Sequence, residues 1–244
     1  MHSFLTSSSH SYDIMHIVIT PTQEVYMYKY ITILGAAGQI AQRLTATLLT
    51  YTDMHITLYG RQLSTRIHPE ILEHERVTVI KGSFQSPKKL EEAVKNTEIV
   101  FLGAMETGSD MAAIVKALSR QNIRRIIGLS MAGLSGEFPK ALEKFTFDNL
   151  PISYIQGERQ ARNVLRESNL NYTILRLPWL YNNMENTNYE LIAEGAPFND
   201  AQVTREAVVK AVYDILHVED ETPFSRASIG VGEPGTHYDK PSFL

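Results

Sequence analysis

The 244-residue chain contains no cysteine, which excludes disulfide bonds, a thiol nucleophile and thiolate metal ligands. Its eight histidines are scattered, without H-x-H or H-E-x-x-H spacing, so we expect no structural or catalytic zinc site and predict no metal ligands. No apolar run approaches the roughly 20 residues that span a bilayer, and we expect no membrane partner. Basic residues form no stripe, and the net charge of −4 argues against a nucleic-acid partner.

What is present is an ordinary globular composition, with 43% apolar and 20% charged residues. We predict that residues 27–244 form a single α/β domain and that the protein is cytoplasmic, a monomer or homodimer with a small-molecule partner. Residues 1–26 are rich in Ser and His and lack the basic start of a secretory signal. We interpret this stretch as a flexible or dispensable extension.

Short apolar runs alternate with amphipathic stretches along the chain. We predict strands at residues 28–34, 56–59, 77–80, 99–102, 125–130, 172–177 and 227–231. Helices are predicted at residues 39–50, 87–95, 109–120, 156–167 and 204–217, the last with Thr204 as its N-cap. Continuous apolar strands separated by helices predict a Rossmann-type, doubly wound and mostly parallel sheet with helices on both faces.

The first predicted strand ends in a glycine turn that passes directly into a helix. The turn is Gly35-Ala-Ala-Gly38, and Ala41 follows it inside the helix. Gly35 permits a sharp turn, Gly38 lets a ligand approach the backbone, and Ala41 is small enough for the helix to lie against the strand. The N-terminus of such a helix presents free N–H groups and a positive dipole end, so we predict a pyrophosphate site here.

The end of the second predicted strand indicates which dinucleotide binds. NAD enzymes usually place a carboxylate there for the ribose 2′-hydroxyl, but this chain has Arg61 followed by Gln62. A guanidinium suits the additional 2′-phosphate of NADP(H) through planar, charge-assisted hydrogen bonds. We therefore predict a preference for NADP(H) over NAD(H). An ordinary solvated role for Arg61 is the alternative.

Two segments interrupt the alternation, at residues 131–149 and 181–202. Both follow the carboxyl ends of predicted strands, where ligands bind in open α/β sheets. We expect them to be small insertions that form walls of a substrate pocket, with plain surface loops as the alternative.

The chain resembles the atypical short-chain dehydrogenase/reductases, specifically the NmrA-like and biliverdin-reductase-B-like group that binds NAD(P). The resemblance covers residues 28–231 and depends on several short motifs. These are Gly35-Ala-Ala-Gly38-Gln-Ile-Ala41, Tyr59-Gly-Arg61, Gly82-Ser-Phe84, Phe101-Leu-Gly-Ala-Met105, Ile127-Gly-Leu-Ser130 and Asn171-Tyr-Thr-Ile-Leu-Arg-Leu-Pro178. It implies an NAD(P)H-dependent reductase of a carbonyl or conjugated acceptor such as a flavin, quinone or tetrapyrrole.

The resemblance also implies roles for individual residues. Gly35, Ala37, Gly38, Gln39 and Ile40 would line the pyrophosphate. Ser83 and Phe84 would lie beside the adenine, and Gly103, Ala104 and Met105 would pass beneath the ribose. Ser130 would approach the nicotinamide, and Leu177, Pro178 and Trp179 would cover it. Met105 and Trp179 are also candidates for an apolar substrate pocket or for the core.

Reductases of this superfamily combine a serine with a Tyr-x-x-x-Lys pair. Ser130 and Tyr154 are the corresponding candidates, but Glu158 stands where the lysine would be. A carboxylate raises the pKa of a neighbouring phenol, whereas a lysine lowers it. Because Glu158 and Arg162 are four residues apart, we interpret them as a solvated helix-surface ion pair. Tyr154 is either the proton donor or a packing residue at a helix start.

Two other functions remain open. The missing lysine is compatible with a non-catalytic NADP(H) sensor of the NmrA-like type that binds a partner protein. The fold also permits a sugar-nucleotide epimerase or dehydratase, although such enzymes normally have the Tyr-x-x-x-Lys pair and a larger C-terminal substrate region.

Overall fold

A computed structural model describes residues 28–244, so the prediction for residues 1–26 lies outside the described residues. The strands are β1 (Tyr30–Leu34), β2 (His55–Gly60), β3 (Val77–Lys81), β4 (Ile99–Leu102), β5 (Arg125–Met131), β6 (Tyr172–Leu177), β7 (Trp179–Tyr181), β8 (Glu190–Ile192), β9 (Gln202–Thr204) and β10 (Ala227–Gly232). The helices are α1 (Gln39–Tyr51), α2 (Leu63–Arg66), α3 (Pro69–Leu72), α4 (Pro87–Ala93), α5 (Gly108–Leu118), α6 (Lys140–Asn149), α7 (Ile152–Glu167) and α8 (Arg205–Leu216), with a 3₁₀ turn at Thr222–Phe224.

Eight strands form one sheet in the order β3-β2-β1-β4-β5-β6-β10-β8. All neighbours are parallel except β8, which pairs antiparallel with β10 at the edge. The chain reverses its direction of winding between β1 and β4, and in such sheets ligands bind outside the carboxyl ends of the strands at this switch point. The predicted doubly wound Rossmann-type fold is therefore confirmed.

Helices cover both faces of the sheet, as the continuous apolar strands predict. On one face α1 and α8 pack through buried residues such as Leu44, Leu48 and Val212. On the other face α4, α5 and α7 contribute Leu90, Ile114 and Leu165. Burial on both sides explains why the central strands lack the polar alternation of a half-exposed sheet.

The predicted elements are confirmed with shifts of a few residues at their ends, and Thr204 caps α8 by accepting a 2.9 Å hydrogen bond from the Ala207 N–H. The two insertions contain structure that the pattern did not reveal. The first ends in α6, and the second includes β8. A short parallel ribbon joins β7 to β9 across the second insertion. Within residues 28–244, every helix is too short or too polar to cross a bilayer.

Candidate active site

The glycine turn after β1 has the geometry of an anion cradle. Gly35 adopts φ +74°, and its N–H and that of Ala36 donate to the Tyr59 carbonyl at 2.9 and 3.1 Å. Gly38 is the N-cap of α1, and its N–H donates to the Gly35 carbonyl at 2.9 Å. Among the described residues no side chain caps the first turn of α1, and this turn contains no acidic residue, so its N–H groups are available to an anion.

A cleft of about 780 Å³ opens over this turn at the carboxyl ends of β1 to β4. Most of the predicted cofactor residues line it: Gly35, Ala37, Gly38, Arg61, Gln62, Ser83, Phe84, Gly103 and Ala104. The bare backbone matters at Gly38, where a Cβ would lie only 3.3 Å from the Gly35 carbonyl oxygen. The position and dimensions of the cleft fit a dinucleotide.

Positive charge is concentrated on the β2 side of the cleft. Arg61 and Arg66 both line it, and neither guanidinium forms a hydrogen bond or ion pair with another residue in the 28–244 range. Gln62 between them adopts φ 53° and is the N-cap of α2, which carries Arg66 in its last turn. Two guanidiniums are thus available to a phosphate at the end of β2. Arg66 was not predicted from the sequence, because its position near the end of β2 depends on the short helix α2.

Several cleft residues were not predicted from the sequence. Gln85 follows β3, while Glu106 and Asp110 lie after β4 and in the first turn of α5. The Gln85 amide donates to Asp110 at 2.7 Å and so connects the two sides of the cleft. No short motif marks these positions, since each depends on how the helices pack beside the sheet.

Three predicted residues have side chains in the core. Ile40 is 6% exposed and packs with α1 against the sheet. Met105 is 1% exposed, and its methyl group occupies the space where a Cβ of Gly128 would lie. Leu177 is 6% exposed at the end of β6, opposite Met131 in the strand register. A cofactor in the cleft would therefore contact Met105 through its backbone and not through its side chain.

The remaining predicted contacts lie around the ends of β6 and α1. Pro178 is buried directly after β6, and Gln39 is exposed in the first turn of α1. Trp179 starts β7, and its indole N–H donates to Thr146 of α6 at 3.1 Å. Its ring lies 5.6 Å from that of Phe145. Trp179 therefore joins β7 to the first insertion.

A polar cluster lies where β5 ends and α7 begins. The Ser130 hydroxyl donates to Glu158 Oε2 at 2.8 Å, and the Met131 N–H approaches the same oxygen at 3.4 Å. The Tyr154 hydroxyl donates to Glu158 Oε1 at 3.2 Å. One carboxyl group thus contacts both predicted catalytic side chains. Tyr154 lies in the first turn of α7, at the helix start as expected.

The interpretation of Glu158 as a solvated surface charge is wrong. Its side chain is buried, with 2% of the residue exposed. Arg162 is also buried and donates to the Ser135 hydroxyl at 3.1 Å instead of pairing with Glu158. The helix spacing of the two residues is correct, but the face that carries them is turned toward β5 and the first insertion rather than toward water.

Burial raises the pKa of Glu158 to about 7, although hydrogen bonds from Ser130, Met131 and Tyr154 favour its charged form. Burial, followed by the negative charge of Glu158, also raises the pKa of Tyr154 above that of a free phenol. The sequence predicted this direction from the carboxylate alone. Near neutral pH the phenol therefore keeps its proton, while Glu158 readily exchanges one.

The packing of α7 against the loop after β4 holds this cluster beside the cleft. Gly157 faces Glu106, and a Cβ at Gly157 would overlap the Glu106 carbonyl oxygen. Glu106 lines the cleft and adds to the electrostatic rise in the pKa of both Tyr154 and Glu158. The polar cluster and the cleft therefore share a wall.

Comparisons with known proteins agree with this geometry. Residues 35–219 match the family model described as NAD(P)H-binding. A short-chain dehydrogenase/reductase from Veillonella parvula DSM 2008, crystallised in complex with NADP, is 84% identical with a TM-score of 0.88, covering 89% of this chain and 100% of that one.

Two more distant proteins are also similar. ChuY from Escherichia coli O157:H7, described as an anaerobilin reductase, is 16% identical with a TM-score of 0.68 over 84% of this chain and 98% of its own, a likeness of fold alone. The oxidoreductase aflX of Aspergillus parasiticus is 39% identical over 72 residues, which span only 27% of its length and 29% of this chain. The fold, the cradle and the match over residues 35–219 together establish that the chain belongs to the NAD(P)H-binding family, as an atypical short-chain dehydrogenase/reductase.

Proposed function

We propose that the protein is an NADPH-dependent reductase of a small carbonyl compound or a conjugated acceptor such as a flavin, quinone or tetrapyrrole. The observation that carries this proposal is the hydrogen-bonded cluster of Ser130, Tyr154 and Glu158 beside the dinucleotide cleft. A protein that only binds the nucleotide has no need of a buried proton-exchanging carboxyl group, because burying such a group lowers the stability of the fold.

The cradle residues would hold the cofactor. Backbone N–H groups of Ala37 and of the first turn of α1 would bind the pyrophosphate next to Gly35 and Gly38. Arg61 and Arg66 would bind the 2′-phosphate, which NADP(H) has and NAD(H) lacks. The complex of the 84% identical relative with NADP supports this choice.

The cluster at the end of β5 would supply the proton. When bound, NADPH supplies a hydride to the acceptor carbon, and a carbonyl oxygen then requires one proton to become an alcohol. Ser130 would orient that oxygen, and Tyr154, whose raised pKa keeps it protonated, would donate the proton. Neutral Glu158 would return a proton to Tyr154 across their 3.2 Å contact and recover its own from water.

A conjugated acceptor changes the demand on these residues. Flavins and quinones take protons from solvent once reduced, so orientation over a flat surface would suffice and Tyr154 would be dispensable. The two acceptor classes therefore differ in their dependence on one hydroxyl group. That difference distinguishes a carbonyl from a conjugated acceptor even while the natural substrate is unidentified.

The test measures oxidation of NADPH and of NADH by the purified protein with an aldehyde and ketone set, a flavin, a quinone and biliverdin. We expect turnover with at least one acceptor and a higher kcat/KM for NADPH. Tight nucleotide binding without turnover on any acceptor would favour the sensor alternative. Absence of binding to either nucleotide would overturn the cofactor assignment as well.

A further inference from the structure

A second group of ligating side chains lies at the far edge of the sheet. Glu190 begins β8, Asp200 precedes β9, and His237 follows β10. One ligand atom from each lies within 4.8 Å of the others. Gly232 pairs with Glu190 in the strand register, and its missing Cβ leaves the space that the Asp200 carboxylate occupies. Three segments distant in sequence thus converge on one point.

The Asp200 carboxylate lacks the partners that burial normally requires. The residue is 1% exposed, and neither carboxylate oxygen accepts a hydrogen bond of ordinary geometry from residues 28–244. The imidazole of His237 lies beside it, with Nε2 3.5 Å from Oδ1. A buried carboxylate beside a second carboxylate is strongly unfavourable unless positive charge compensates it.

The arginine in this part of the sheet does not provide that charge. Arg176 donates to Glu137 at 2.8 Å and to the carbonyls of Ile192 and Ala193, each at 3.1 Å. Its guanidinium lies 5.8 Å from the ring of Phe198. Because these contacts already hold Arg176, its guanidinium does not neutralise the two carboxylates. Burial, followed by the adjacent Glu190, raises the pKa of Asp200 well above its ordinary value, so the pair needs either a shared proton or a bound cation.

We propose that Glu190, Asp200 and His237 bind a divalent transition-metal ion, of which Zn²⁺ is the test case. Two carboxylates and one imidazole form a donor set that divalent transition-metal ions bind more readily than Mg²⁺ or Ca²⁺ do. Metal–ligand bonds of about 2.1 Å in a tetrahedron separate neighbouring donors by about 3.4 Å, close to the observed 3.5 Å between His237 and Asp200. The His237 side chain is 61% exposed, which leaves room for water ligands.

The ion would act as a clamp. It joins the second insertion, which carries Glu190 and Asp200, to the segment after β10, which carries His237. Backbone hydrogen bonds already join these segments, from Ala201 to Thr236 at 2.9 Å and from Glu233 to Gln202 at 3.0 Å. No sequence motif indicates the site, because its ligands have no characteristic spacing. The proposal is independent of the reductase activity.

Calorimetric titration of the chelator-treated full chain with ZnCl₂, alongside thermal unfolding, tests the proposal. We expect one ion per chain and a rise in Tm. His237→Ala should weaken Zn²⁺ binding by at least about 10–100-fold, which is the typical cost of losing only an outer-shell partner of a metal site. Glu190→Gln should do the same. MgCl₂ should cause a much smaller shift.

His68→Ala is the matched control, because His68 lies 3.6 Å from Glu70 in an exposed His–Glu pair outside the site. This variant should bind Zn²⁺ as the unmodified chain does. Equal losses in the His68 and His237 variants would identify adventitious surface binding and overturn the proposal. Absence of heat and of a Tm shift would overturn it too. A higher Tm of Asp200→Asn without metal would then indicate that Asp200 and Glu190 share a proton instead of binding a metal ion.

Discussion

The buried carboxyl group of Glu158 makes stability depend on pH in a definite direction. Burial raises its pKa to about 7 from an ordinary value of 4.5. Between those values the native protein binds more protons than the unfolded chain, so the contribution of Glu158 to stability falls as pH rises through about 7. The gap corresponds to roughly 3 kcal/mol, because each pKa unit is worth about 1.4 kcal/mol.

Glu158→Gln removes this titration while keeping hydrogen-bonding atoms for Ser130 and Tyr154. We expect the free energy of unfolding of the variant, minus that of the unmodified protein, to increase by roughly 3 kcal/mol from pH 4.5 to pH 8. Urea unfolding of both proteins at closely spaced pH values measures this difference in the free energy of unfolding. Other titrating groups are present in both proteins and cancel in the difference.

Two further variants serve as controls for this interpretation. Glu92→Gln makes the same change at an exposed glutamate of α4, and its difference should stay within about 0.5 kcal/mol at every pH. Ser130→Ala removes a donor that favours charged Glu158, so the decline in stability should move to higher pH. A flat difference for Glu158→Gln would refute the burial argument, as would a shift to lower pH in Ser130→Ala.

Five other substitutions test the site and the contacts that hold it. Arg61→Ala and Arg66→Ala should each weaken NADPH binding about 10- to 100-fold by calorimetry with little effect on NADH, and equal losses would exclude a 2′-phosphate contact. Tyr154→Phe should lower kcat about 10²- to 10⁴-fold for a carbonyl substrate and little for a flavin or quinone, as initial rates would show. Glu137→Ala leaves the buried Arg176 guanidinium without its carboxylate partner and should lower the free energy of unfolding in urea by about 3–5 kcal/mol. A loss under about 1 kcal/mol would contradict this prediction. Gly157→Ala pushes α7 against the loop after β4 and should cost about 1–3 kcal/mol by the same assay, whereas an unchanged stability would show that the contact is loose.

The sheet and its main helices could be predicted because each strand is a short apolar run and each helix has a clear apolar face. Helix α6 was missed because few of its residues are buried, among them Leu142 and Thr146, so its periodicity is weak. The edge strand β8 was missed because three half-buried residues carry no alternating pattern. Such elements form through tertiary contacts, which a local pattern does not contain.

The candidate site divides in the same way. The cradle from Gly35 to Ala41 is contiguous, so its local geometry follows from the order of residues. Glu158 depends on contacts with Ser130, 28 positions away, and its spacing to Arg162 fits a surface pair equally well. The available signal was Gly157, because a glycine inside a helix marks close approach to another backbone. That glycine predicts that this face of α7 is covered.

The two halves of the site should consequently respond differently to substitution. The cradle and Arg61 are held by β1, β2 and their own turns, whereas Ser130, Tyr154 and Glu158 are held by the packing of α7 on β5 and the loop after β4. A change that shifts α7 therefore moves the proton-exchanging group while leaving the phosphate contacts in place. In Gly157→Ala, we expect kcat for a carbonyl substrate to fall far more than NADPH affinity, which steady-state kinetics and calorimetry measure separately. Parallel losses in both would mean that the cradle and the cluster form a single unit.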